Sequence, residues 1–328
     1  MNRGRQLLVA LLVLGGLIGA TLLVWRDPFE KTPGKDFSGV LPARSEGTID
    51  RIAVTNKEGS ITAEKRGDTW WITEPKELPA DSGQLKAAAA TLEKIAVVDA
   101  VSKKPERQEE YGLAKGSPER MEVKAFAAGT AVVDLAAGKR SPDGQGTFIL
   151  LAKDPNTVYV TSETVPFLFG RTVKEWRSKT ILDLRRESID RIQMTNSKGV
   201  LDLVKETGDQ WQKKDDPSWH ADNARLGQVL DTFTRLPWVD VVDEPDPSTD
   251  YGFNAPQAKA AATAESKGYV LVFGKDVEGP TGNCWLKLDG DPKAYQVRKA
   301  ILDRFTRDFD YYRGEAVQPD AQGPKKEN

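Results

Sequence analysis

The sequence predicts an α+β protein: a mainly antiparallel sheet with one main packed helix, present in two tandem copies behind one transmembrane helix. Three observations predict it. An eight-residue segment, Ile49-Asp50-Arg51-Ile52-Ala53-Val54-Thr55-Asn56, recurs as Ile189-Asp190-Arg191-Ile192-Gln193-Met194-Thr195-Asn196, identical at six of eight positions and offset by 140 residues. Period-two apolar runs follow each copy of the segment, and one helical stripe follows each set of runs. The first residues carry an uncharged stretch from Leu7 to Trp25.

That stretch follows Arg3 and Arg5 and is closed by Arg26-Asp27-Pro28. Nineteen residues at about 1.5 Å each reach about 28 Å, enough to cross the hydrocarbon core. A cleaved signal peptide would have a shorter apolar region ending in small residues. Here Leu22, Leu23, Val24 and Trp25 extend the run, and Trp25 suits the membrane interface. The expectation is a retained anchor, marked by Leu7, Leu14 and Trp25, with residues 1–6 in the cytoplasm. It implies a single-pass protein of the bacterial inner (cytoplasmic) membrane with its bulk extracytoplasmic. Residues 26–46, rich in proline and glycine, read as a linker. Residues 47–183 and 184–314 read as the two repeat domains, and 315–328 as a disordered tail.

Within the first copy, Ile52 and Val54 alternate with polar residues, Asn56 to Gly59 turns, and two further alternating runs end near Thr73. This predicts a three-stranded meander. Asp81 then stands as helix N-cap before the stripe Leu85, Ala88, Ala89, Leu92 and Ile95. The second copy repeats the pattern with Asp222 before Leu226, Val229, Leu230, Phe233 and Leu236. Trp70 and Trp211 recur as core aromatics. A short strand is expected after each helix, at Val97 to Val101 and Val239 to Val242. Further strands are expected at Met121 to Phe126, Ala131 to Leu135, Thr147 to Leu151 and Thr157 to Val160. The second copy offers Tyr269 to Phe273, Cys284 to Leu288 and Ala294 to Val297. Gly138-Lys139 and Gly274-Lys275 read as hairpin turns, and short helices near Val165 to Phe169 and Ala300 to Phe305 close the copies.

Composition excludes several function classes. Forty-seven basic and 49 acidic residues leave a formal charge of −2, which argues against a nucleic-acid partner. One cysteine, Cys284, and one histidine, His220, are too few for a structural zinc site, and Cys284 reads as a buried structural thiol. His220 would have to be the base of any Ser-His-Asp or Cys-His arrangement, yet the first copy has Pro79 at its place. No phosphate-binding loop, nucleophile elbow or dinucleotide fingerprint occurs. No cofactor and no catalytic residue are therefore expected. The residues that could form a binding lip are Tyr111-Gly112-Leu113 and Tyr251-Gly252-Phe253, each after a charged loop, with His220 as an unshared addition. Loop packing around a glycine of positive φ is the competing reading.

The order I-x-x-I-x-V, W with a following P, A-D helix cap, amphipathic helix and Y-G-L is carried by Ile49, Ile52, Val54, Trp70, Pro75, Ala80-Asp81 and Tyr111-Gly112-Leu113. It recurs at Ile189, Ile192, Met194, Trp211, Pro217, Ala221-Asp222 and Tyr251-Gly252-Phe253, with Met194 and Phe253 as conservative departures. This pattern resembles the bacterial family known as domain of unknown function 4340, over about residues 47–314. The resemblance implies an N-terminal anchor and encoding beside ABC transporter or gliding-motility-type components, and it supplies no catalytic residue. The function expected is a non-enzymatic, membrane-tethered accessory or binding protein that contacts an ABC-type permease or another envelope protein. The alternative is an envelope hydrolase acting on glycan or peptide through carboxylates.

Overall fold

The computed structural model describes residues 36–37, 39–41, 44 and 46–314. The predicted anchor, with Leu7, Leu14 and Trp25, and the predicted disordered tail lie outside the described residues. No helix among the described residues is long and apolar enough to cross a membrane. The chain divides into two units between Ser178 and Lys179. The division falls before the expected 183/184 boundary because Thr180–Leu182 forms a strand that pairs inside the second unit.

In the first unit, β1 (Arg51–Asn56), β2 (Gly59–Arg66), β3 (Thr69–Glu74) and β4 (Leu78–Pro79) form a meander of four strands rather than three. The helix α1 (Ser82–Lys94) then carries the chain to β5 (Val97–Ser102). Next come β6 (Met121–Ala127), β7 (Thr130–Arg140), β8 (Thr147–Leu151) and β9 (Asp154–Thr161). Two short helices, α2 (Val165–Phe169) and α3 (Val173–Trp176), close the unit. The sheet order is β4-β3-β2-β1-β6-β7-β8-β9-β5, so α1 joins the two edges.

The second unit opens with β10 (Thr180–Leu182). It continues with β11 (Ile189–Asn196), β12 (Gly199–Lys205), β13 (Trp211–Lys213), β14 (Asp216–His220) and α4 (Asn223–Thr234). After β15 (Leu236–Pro237) and β16 (Asp240–Val242) come β17 (Ala258–Ala264), β18 (Lys267–Asp276), β19 (Asn283–Leu288), β20 (Ala294–Arg298) and α5 (Lys299–Leu302). Its sheet order, β14-β13-β12-β11-β17-β18-β19-β20-β16, places each strand where its counterpart lies in the first sheet. The regular structure is mostly antiparallel sheet, with few helices.

The repeated residues have local physical causes. Asp81 accepts a bond from the Gln84 amide at 3.0 Å, and Asp222 accepts from Ala224 and Arg225 at 2.9 and 3.1 Å, so both cap free helix N–H groups. The predicted stripes are the buried faces: Leu85, Ala88, Ala89 and Leu92 on α1, and Leu226, Val229, Leu230 and Phe233 on α4. Asn56 and Asn196 do two jobs each. Their side-chain oxygens accept the Glu58 and Lys198 amides within the hairpin turns. Their amide groups donate to Phe169 O and Arg171 O, and to Phe305 O and Arg307 O, at 2.8–3.1 Å. One side chain thus ties the first hairpin to the closing segment of its unit. Asn196→Ala should lower the unit's stability by about 2–3 kcal/mol, because the turn and two carbonyls lose their partner together. Urea unfolding followed by tryptophan fluorescence measures it, and a shift below about 0.5 kcal/mol would show the tie to be idle.

β17 has no counterpart among the expected strands. Its sequence, AKAAATA, favours helix by propensity. The strand forms because it lies between β11 and β18 and pairs with both, and Ala258, Ala260, Ala262 and Ala264 all face the core. Its counterpart β6 presents larger residues, Met121, Val123 and Ala125. The helices differ as well: α1 contributes Ala88, Ala89 and Leu92 to its core, and α4 contributes the bulkier Val229, Leu230 and Phe233 at the corresponding positions.

Part of the segment read as a linker belongs to the first core. Leu41 is buried in it, and Phe37 and Val40 pack against it. Glu93, 1% exposed on α1, receives the amides of Gly47 and Ile49 at 2.9 Å each and so fixes the entry into β1.

Candidate functional site

The expected lip residues are largely consumed by packing. Tyr111 and Leu113 are buried in a small cluster with Ala136, Phe148 and Leu150, on residues of β7 and β8. Tyr111 lies 4.7 Å from the Phe148 ring. In the second unit Tyr251 and Phe253 are half-buried, stacked at 5.7 Å, with Tyr251 edge-on to Trp285 at 4.8 Å.

The glycines follow from the same docking. Gly138-Lys139 and Gly274-Lys275 are not hairpin turns: they lie inside β7 and β18, at register shifts against β8 and β19. There the Lys139 amide donates to Tyr111 O at 2.9 Å, and the Lys275 amide to Tyr251 O at 3.0 Å. A Cβ on Gly138 would stand 2.3 Å from Tyr111 O, and one on Gly274 would stand 2.1 Å from Tyr251 O. Gly112 and Gly252, at φ of +68° and +78°, complete the approach from the loop side. Two repeated motifs, read separately in the sequence, are the two halves of one backbone contact.

His220 is half-buried in β14, opposite Gln212, and its carbonyl accepts the Gly314 amide at 2.9 Å. Pro79 sits opposite Trp71 in the corresponding register of the first sheet. Four strands separate β14 from β18, on which Tyr251 docks, so His220 and the Tyr251 loop form no common site. Cys284 is fully buried, and burial, followed by the neighbouring Asp276 charge, pushes its thiol up to about 12. Native protein should therefore react with iodoacetamide on the order of a thousandfold more slowly than unfolded protein at pH 8. Its rate should climb with pH until about 12. Rapid labelling of the native state would refute this inert thiol.

A cleft that the sequence did not reveal lies in the first unit. It encloses about 320 Å³ between the edge strand β5, the adjoining end of β9, and the loop from Ser141 to Gly146. The loop is held by its own side chains: Ser141 Oγ donates to Asp143 Oδ1 and accepts the Gly146 amide at 2.8 Å, and Asp143 Oδ1 also accepts the Gln145 amide at 3.1 Å. Gly146 is required here, since a Cβ would meet Thr161 O at 2.1 Å. Val98, Val101 and Val160 make an apolar wall, and Asp99 stands among them. Asp99 is 7% exposed, and one of its oxygens accepts the Ala100 amide at 2.7 Å. The missed signal is a small repeat, Val98-Asp99 against Val239-Asp240. Val98 is 41% and Val239 42% exposed, and Asp240 bonds the Val241 amide as Asp99 bonds that of Ala100.

Among the described residues, no group of three or more His, Cys, Asp or Glu side chains could hold a metal ion. A family model with the description "Domain of unknown function (DUF4340)" matches residues 70–256, more than half of the chain. The chain belongs to the DUF4340 family. The match starts at Trp70 in β3 and ends just before β17, so the DUF4340 segment crosses from one unit into the other and coincides with neither. No curated protein and no solved structure matches the chain.

Proposed function

We propose that this DUF4340 protein is a non-enzymatic accessory protein, tethered to the bacterial inner membrane by residues 7–25. Its bulk is extracytoplasmic, it is a tandem duplication of one domain, and it binds an ABC-type permease or another envelope protein. The observation that carries the reading is that the conspicuous repeated residues are used up by the fold. Asp81 and Asp222 cap helices, Asn56 and Asn196 tie the closing segments, and the Tyr-Gly loops dock on Gly138-Lys139 and Gly274-Lys275. What is left for function among the described residues is surface and clefts rather than a constellation of reactive groups. Duplication is supported by the common strand order of the two sheets and by the recurring octet. The anchor is supported by the uncharged run from Leu7 to Trp25.

The hydrolase reading has one observation in its favour, the presence of Asp99 and Asp143 on the wall of the same cleft. Asp143, however, is engaged by Ser141 and Gln145 as part of the loop's own scaffold. An acid–base pair needs both carboxyls directed at substrate. Affinity capture from solubilised membranes with the full chain as bait tests the accessory role. Enrichment of a transporter subunit or envelope protein is the expected result; none, after cross-linking in intact cells, would sink it.

A further inference from the structure

We propose that the cleft beside β5 binds a protonated amine or guanidinium group carried on an aliphatic stem, with Asp99 as the counter-charge. This names the ligand chemistry of the first unit and rests on reading that unit as a binding module. Three observations meet here. The first is the carboxylate itself. Asp99 is more than nine-tenths buried, and its one hydrogen bond among the described residues is to its neighbour's amide. Its second oxygen has no hydrogen bond among the described residues and is not one of the sealed, unpartnered side-chain atoms, so a donor or cation entering the cleft can reach and answer it. The described lining of the cleft contains no lysine or arginine to do so.

The second observation is size. About 320 Å³ lies at the lower end of the range for small-ligand sites, enough for a side-chain-sized group and little more. The third is the wall. Val98, Val101 and Val160 line the same cleft as the carboxylate, and Val98 is 41% exposed. A bare metal ion gains nothing from three valines, whereas a four-carbon stem buries its methylenes against them. An ammonium or guanidinium head on such a stem satisfies the carboxylate and the valines together.

The test is calorimetric titration of the full chain in detergent, at neutral pH and 0.15 M salt, with n-butylamine and with n-butanol as its uncharged analogue. Butylammonium should bind at least tenfold more tightly than butanol. Asp99→Asn, which retains an acceptor for the Ala100 amide, should weaken butylammonium at least tenfold. Val98→Lys, a change at an exposed position that leaves the core untouched, should do the same by placing its own ammonium in the mouth. Equal affinity for the two probes, or amine binding unaltered in both variants, overturns the proposal.

The same titration with acetyl-Gly-Lys-Gly-amide separates the sources of the amine. Tenfold tighter binding than butylamine identifies a lysine in an extended polypeptide; equal or weaker binding identifies a free small amine. A wild-type chain that recovers its membrane partner yet ignores butylamine would fell this inference alone. One that binds butylamine and recovers no partner would fell the accessory role alone.

Discussion

Gly138→Ala is expected to destabilise the first unit by about 3 kcal/mol or more. The new carbon would stand 2.3 Å from Tyr111 O and 2.9 Å from both the carbonyl carbon and oxygen of Gly112. All three are backbone atoms, so no side chain can rotate away. The loop must lift, which breaks the 2.9 Å bond from the Lys139 amide and draws Tyr111 and Leu113 off Phe148. Gly274→Ala should do the same in the second unit, where the carbon would also press the Phe253 ring at 3.0 Å. Gly268→Ala is the control, since no atom lies within 4 Å of its Cβ position, and it should stay within about 0.5 kcal/mol of the parent. Urea denaturation compares the three. A Gly138→Ala midpoint equal to that of Gly268→Ala would mean that the loop is not locked onto β7.

Glu93→Ala is the second large effect expected, at about 3 kcal/mol, in spite of being the removal of a charge from a buried position. The carboxylate is 1% exposed, and its two oxygens each hold a backbone amide, Gly47 by one and Ile49 by the other, at 2.9 Å. Deleting it strands the buried Ile49 amide, at about 1–3 kcal/mol, and unties the exposed Gly47 amide that holds the entry into β1. Glu93→Gln should fall between, because its amide nitrogen can accept from neither donor. Hydrogen exchange gives the sharper readout: protection at the Ile49 amide should collapse in the alanine variant while that of the β7–β8 ladder persists. Unchanged protection at Ile49 would refute the role assigned to Glu93.

How much of this was legible beforehand depended on the range of the interaction concerned. Helix caps and stripes are local, so Asp81, Asp222 and the apolar faces of α1 and α4 could be read from spacing. The Tyr-Gly and Gly-Lys pairs were each visible, but Gly138 and Gly274 were mistaken for turn residues. Their need for a missing Cβ comes from tyrosine carbonyls that lie 27 and 23 residues earlier in the chain. β17 was invisible because alanine carries no strand signal of its own; neighbours on both sides impose the conformation. The cleft depended on three segments meeting, β5, β9 and the 141–146 loop, and only the short Val-Asp repeat hinted at it.

The difference in bulk between the buried faces of α1 and α4 has a consequence for how such a chain sorts itself during folding. Two units with the same strand order present each other with false partners, and mispairing between like domains is a standing hazard of linked, similar units. If α4 settled in the first core, Val229, Leu230 and Phe233 would stand where Ala88, Ala89 and Leu92 belong, and that core would be overfilled. If α1 settled in the second core, the same three positions would leave a void. Each helix is thus keyed to its own core by volume.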